Sequence, residues 1–189
     1  MKDQEHDDEN EQQDSQLTRR PRQWNPTRCL TRTVRLPRGA RYLAEGAHDV
    51  AEAEWTVEYE DDRFEKFFDS LPAYEQAVLT AAIEHVLTVH GIDICAGEWG
   101  KPLGDGLFEF RVRRPLPAIL SEAGAAKPPD LAGSDRQVLL RVFCTFHGDR
   151  IVLLYSGYDK KRDPSARRQQ REIKRARKAH AQWKRGRRA

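Results

Sequence analysis

Arg141 is the one charged residue in the apolar stretch from Val138 to Phe146, and an arginine in that setting calls for an anion. Read as a strand, the stretch turns Val138, Leu140, Val142, Cys144 and Phe146 to one side and Leu139, Arg141, Phe143 and Thr145 to the other. An unpaired guanidinium is costly to bury, so Arg141 needs either a carboxylate partner or a cleft that receives one. A second charged row lies in Leu107-Phe-Glu-Phe-Arg-Val-Arg113, where Glu109, Arg111 and Arg113 alternate with Phe108, Phe110 and Val112 and so share a face. A third group follows the turn His147-Gly-Asp-Arg150: Tyr158, then Lys160 and Lys161, then a strongly basic terminal segment. Together these residues describe a sheet that ends in a cationic rim.

The elements that must position them follow from periodicity. Trp55-Thr-Val-Glu-Tyr-Glu60 alternates large apolar and polar residues as a half-buried strand does. From about Asp62, Phe64, Phe67, Phe68 and Leu71 fall at helical spacing until Pro72 breaks the pattern. A second helix is predicted from Ala73 to His90, stopping at Gly91, with an apolar stripe of Val78, Leu79, Ala82, Ile83, Val86 and Leu87 suited to packing on a sheet. The 107–113 strand is entered through Gly104-Asp-Gly106, and the Pro, Ala and Gly content of 114–135 predicts a long loop before the strand from Val138. After a strand from Ile151 to Tyr158, Asp163-Pro-Ser165 starts a helix over Ala166 to Trp183, whose thin apolar stripe is Ile173, Ala176, Ala179 and Trp183.

Composition bounds the rest. With 189 residues, 38% hydrophobic and 33% charged, and a mean hydropathy of -0.82, the chain suits one modest core with charged tails. The formal charge of +3 conceals segregation, because the first sixteen residues hold seven acids against one lysine while 160–189 hold fourteen Lys or Arg against two acids. A local basic surface of that density points to a polyanion, with nucleic acid ahead of membrane. Residues 1–54 have too few aliphatic side chains to offset chain entropy and are expected to be a disordered charged extension; 55–184 form the domain, and 185–189 a basic tail. Cys29, Cys95 and Cys144 are odd in number and without CxxC pairing, which argues against a disulfide framework and fits a reducing cytoplasm. His85, His90 and His147 lack metal-cluster spacing. No apolar run is expected to approach the length of a membrane span, and the acidic start lacks the order of a secretory signal.

The succession of a strand, two helices, three antiparallel strands and a basic helix carries three further signals: Gly100-Lys-Pro-Leu-Gly-Asp-Gly-Leu-Phe-Glu-Phe-Arg111, Leu140-Arg-Val142 and Gly157-Tyr-Asp-Lys-Lys161. In this it resembles the RelE/ParE toxin superfamily, and within it the phage-derived HigB-like branch, over about Trp55 to Trp183. The resemblance implies an α+β, RelE-like fold: a small, antiparallel-dominated twisted sheet against two N-terminal helices, with a basic C-terminal helix. It further implies the toxin of a type II toxin-antitoxin pair, an mRNA endoribonuclease acting on the ribosome without metal or other cofactor, and held in check by a helix-turn-helix antitoxin. Arg111 and Arg141 would then hold the scissile phosphate, with Tyr158 as acid or stacking platform and Lys101 or Lys161 as base. Lys160 adds positive potential, and Arg113, Arg162, Arg168, Arg171, Lys174 and Arg175 would contact RNA phosphates. Two other readings stand beside it: a ParE-like, non-catalytic inhibitor of DNA gyrase, and a degenerate homologue that only binds RNA. Arg111 also has a plainer role open to it, pairing with Glu109 or Asp159 across the sheet.

Overall fold

The computed structural model describes residues 22–23, 54–126 and 135–187. The expected disorder of the N-terminal extension thus falls almost wholly outside the described residues, as do 127–134 of the expected loop and the last two residues of the tail. The elements, in chain order, are β1 (Arg22–Gln23), β2 (Thr56–Tyr59), α1 (Asp62–Asp69), α2 (Ala73–Ala82), β3 (Gly100–Gly104), β4 (Leu107–Val112), α3 (Leu116–Glu122), β5 (Leu140–His147), β6 (Ile151–Asp159) and α4 (Ala166–Gly186).

Local chemistry sets the helix ends. Asp61 caps α1 by accepting from the Arg63 N–H at 2.9 Å. Pro72 opens α2, which continues through a π turn at Ile83–Leu87 and a last α turn at Thr88–His90, so the helix expected over 73–90 is present with one widened turn. Gly91 ends it at φ +50°, where a Cβ would fall inside the Trp55 ring, so only glycine fits. Against the expectation that no apolar run approaches the length of a membrane span, Ala73–Ala96 is the one stretch among the described residues long and apolar enough to cross a membrane, with a mean hydropathy of 1.4, because the helix continues through the π turn and a 3-10 helix follows it at Gly91–Ala96. Its side chains Val78, Leu79, Ala82, Ile83 and Leu87 are nevertheless fully enclosed in the core.

The sheet order is β1-β2-β6-β5-β4-β3, with β2 parallel to β6 and every other neighbour antiparallel. The chain is therefore an α+β domain on a mostly antiparallel sheet. Two packed layers flank it. One face carries Val57, Phe110, Val112, Leu140, Val142, Cys144, Val152 and Leu154 against Phe64 and Phe68 of α1, the α2 stripe, and Leu116, Ile119 and Leu120 of α3. The other carries Leu107, Phe143, Leu153, Tyr155 and Tyr158 against Ile173, Ala176 and Ala179 of α4. The alternation predicted for 138–146 is the one observed. A bulge shifts the β5–β6 register between Phe143 and Cys144, which brings both Tyr155 and Tyr158 to the α4 face despite their odd spacing.

The expected loop needs correction, and the sheet has a strand that periodicity does not predict. The segment 114–135 is not simply a loop, because Leu116–Glu122 forms α3, held where the Tyr74 hydroxyl accepts from the Leu116 N–H at 3.3 Å and donates to the Arg136 carbonyl at 2.9 Å. And Gly100–Gly104 is a strand of its own, the outermost in the sheet, where Pro102 needs no partner for the N–H it lacks.

Candidate functional site

The three middle strands place Arg111, Arg141 and Tyr158 in one row. Arg111 lies opposite Arg141 in the β4–β5 ladder, and Arg141 opposite Tyr158 in the β5–β6 ladder. Directly paired residues share a face, and this face is the one under α4. Arg113 continues the same side of β4 just past its end, and the Lys160 N–H donates to the Leu139 carbonyl at 2.8 Å, so Arg113 and Lys160 flank the open end of the row.

Charge in this row is unbalanced. The nearest carboxylate is Glu109, 1% exposed, whose Oε1 stands 3.8 Å from Nε of Arg141, itself 4% exposed. Arg141 also donates to the Leu140 carbonyl at 2.9 Å, and Arg111 to the Gly100 carbonyl at 3.3 Å. Among the described residues neither Arg111 nor Arg113 has an ion pair, and the Nε atoms of both are buried without a hydrogen-bond acceptor, as is the Tyr158 hydroxyl without any partner. Burial pulls the Arg141 guanidinium below its ordinary range, Glu109 pushes it back up, and the positive charges of Arg113 and Arg111 lower it again. The Tyr158 phenol is pushed up to about 12, chiefly by burial and then by the Glu109 charge, so it holds its proton through the neutral range. The row thus holds three guanidinium groups and one carboxylate, which pairs with Arg141 alone, an excess of positive charge in a partly dry setting that could take up an anion.

The first turns of α4 close one side of the row. Ser165 caps the helix by accepting from the Arg168 N–H at 3.2 Å. Glu172 is buried and binds Arg168 at 2.8 Å and Arg175 at 3.2 Å, while Lys160 reaches Gln169 at 3.3 Å. Further along, the Tyr155 hydroxyl bonds Nδ1 of His180 at 2.8 Å, and Nε2 of His180 bonds the Asp105 carbonyl at 2.9 Å, which pins the helix over the β3–β4 turn.

Several sequence-predicted roles change accordingly. Arg141 is not an open phosphate grip, since it lies buried beside Glu109, next to Arg111 in the ladder. The plainer pairing open to Arg111 does not occur, because Glu109 serves Arg141 and Asp159 lies 3.8 Å from Arg162. Tyr158 is no free stacking platform, as it already stacks on Phe143 at 6.1 Å. Lys161 is exposed and donates to the Gln137 carbonyl at 3.2 Å; Lys101 lies opposite Glu109 in the β3–β4 ladder, on the face of the row and one rung from Arg111, but is exposed at the outermost strand. Arg171 and Lys174 lie on the exposed side of α4. Sequence reasoning missed Glu172, although its spacing from Arg168 and Arg175 and its place beside Ile173 mark it as the acid on the buried stripe. Among the described residues no group of His, Cys, Asp and Glu is placed to hold a metal ion. No family model, no curated protein and no solved structure matches this chain.

Proposed function

We propose that Arg111 and Arg113, beside the buried Arg141, bind a phosphodiester of single-stranded RNA, and that the chain is the toxin of a type II toxin-antitoxin pair that cuts mRNA on the ribosome. The observation that carries this reading is the excess of guanidinium over carboxylate in a row whose polar atoms remain unsatisfied. Two helices on a mostly antiparallel sheet with a basic last helix, the arrangement that the resemblance implies, support it, as does the resemblance of the three sequence signals. In such a cleavage the RNA 2′-hydroxyl attacks the adjacent phosphorus, a P–O bond to the next 5′-oxygen breaks, and a cyclic phosphate and a 5′-hydroxyl result. Arg111 and Arg113 would grip the non-bridging oxygens as they gain charge, each guanidinium offering two parallel donors. The exposed basic side of α4 would hold flanking phosphates of mRNA or rRNA. A cytoplasmic setting and a helix-turn-helix antitoxin partner belong to the same reading.

A second reading, RNA binding without cleavage, draws on one observation: Lys161 is tied to the Gln137 carbonyl, and both it and Lys101, which lies opposite Glu109, are exposed, so neither has the dry setting that suits a lysine base. The experiment that tests both is translation of a defined mRNA with the purified protein, followed by primer extension. Codon-phased 5′ ends that vanish with Arg111→Ala and with Arg113→Ala support cleavage. Intact mRNA with stalled translation supports binding alone, and unaffected translation with intact mRNA would remove both.

A further inference from the structure

β6 has two unlike halves. Over Ile151–Leu154 it lies between β2 and β5, and the Glu60 N–H makes the last rung to the Leu154 carbonyl at 3.3 Å. From Tyr155 to Asp159 only β5 remains, and among the described residues no strand lies against the other edge. That edge opens on a groove of about 660 Å³ floored by Ser156, Gly157 and Tyr158. Arg63 and Lys66 of α1 stand on one side of it, and Arg162, Arg168 and Arg175 on the other. Lys66, Arg162 and Arg175 are 74%, 61% and 65% exposed, so their charges stay available beside Asp62, Asp159 and Glu172. An open strand edge offers peptide N–H and C=O groups in strand register, which another peptide matches and a sugar-phosphate chain does not. Each of the five cations has a carboxylate neighbour, but the lining holds five Arg or Lys against Asp159, Asp163 and Glu172, and that excess of positive charge favours an acidic one.

The register of β1 indicates where such a peptide comes from. Arg22 lies opposite Tyr59 and Gln23 opposite Glu58, antiparallel to β2, and β2 runs parallel to β6. The N-terminal end of β1 therefore points toward the Asp159 end of β6, past the point where β2 stops and the groove begins. It leads back into Asp3 to Asp14, which holds seven acids and no Lys or Arg. The seven residues between Asp14 and Arg22, at about 3.3 Å each, can span roughly 20 Å, more than the ~10 Å of a two-strand step across the sheet.

We propose that the acidic segment from Asp3 to Asp14 of the same chain docks in this groove as an added strand along Tyr155–Asp159, its carboxylates against Arg63, Lys66, Arg162, Arg168 and Arg175. This docking needs no RNA, and it is read independently of RNA binding. A nitroxide at Ser15→Cys, in the full chain carrying Cys29→Ser and Cys95→Ser, reports on it through paramagnetic broadening of amide signals. The amides of Phe67, Ser156 and Gly157 are expected to broaden several-fold more than those of Lys174 and Lys178 on the exposed side of α4. The difference should collapse near ~1 M salt, where screening acts within about 3 Å, and when the seven acids are changed to Asn and Gln. Even broadening over the surface, sharp groove signals, or broadening that survives neutralisation would overturn it. So would broadening passed between chains in a mixture of nitroxide-free, isotope-labelled protein with nitroxide-bearing, unlabelled protein, which would assign the groove to a second copy. An oligoribonucleotide that shifts the groove amides while the nitroxide leaves them sharp would assign it to RNA, with the same consequence.

Discussion

Arg141 and Glu109 form the pivot of the site, and their burial makes the pair fragile to one-sided change. Glu109→Gln or Arg141→Ala leaves a buried charge without its partner and is expected to lower stability by about 3 kcal/mol in chemical denaturation. Changing both, as Glu109→Leu with Arg141→Met, should restore most of that loss, because the desolvation penalty goes with the charges. Arg111 and Arg113 differ in kind, being half-buried and free of ion pairs, so their alanine variants should unfold within about 0.5 kcal/mol of the parent while losing RNA contact. Glu60 sets a pH dependence of its own. Its carboxyl, with one oxygen buried and unpartnered, is pushed up to about 7 by burial and by the neighbouring Asp61. A raised carboxyl binds more protons folded than unfolded between its ordinary 4.5 and about 7. Its contribution is therefore fully present below that window and lost as pH rises through it. Glu60→Gln should gain about 1 kcal/mol near pH 8, allowing for partial solvation, and little near pH 4, read by thermal unfolding at both.

At the scale of elements, α1 and β6 fit closely. Gly157 presses against the Phe67 ring, and a Cβ there would also stand 2.8 Å from the Arg141 carbonyl. Gly157→Ala is expected to destabilise by about 3 kcal/mol, and Phe67→Ala in the same chain to relieve part of it, so that a double-mutant cycle departs from additivity. Much of this level was legible in residue order alone. The alternation in β4 and β5 put Arg111 and Arg141 on one side, and the helical spacing after Asp62 marked α1 and α2, because strong period signals depend on the local chain. What escaped reading depends on tertiary partners. β3 exists because β4 offers it an edge, although Gly100-Lys-Pro-Leu-Gly104 has no strand pattern. α3 is short and rich in Pro and Ala, and is fixed by Tyr74 from far along the chain. The bulge that turns Tyr158 toward α4 leaves no mark in the residue types. The burial of Arg141 follows from α4 crossing the face its side chain occupies, which no local pattern encodes.

For the whole molecule, the decisive property is that charge is gathered at one end of the sheet and along one helix. The exposed residues Arg171, Lys174 and Lys178 of α4 should contribute to RNA affinity through counterion release. Each charge removed is expected to lessen the slope of log affinity against log salt by about 0.7, with little change in sequence preference, measured by fluorescence anisotropy over a salt series. Arg111 and Arg113 should instead change both affinity and cleavage, since they meet the phosphate inside the row. The most direct test follows the arginine Nε–Hε signals of the folded protein during titration with a single-stranded oligoribonucleotide made uncleavable by 2′-O-methylation. The signals of Arg111 and Arg113 are predicted to shift together and saturate, while thermal unfolding of the free Arg113→Ala variant stays as in the parent and its Arg111 signal no longer moves. Shifts confined to Arg171 and Arg175 on α4, with Arg111 and Arg113 unmoved, would contradict an anion site in the sheet.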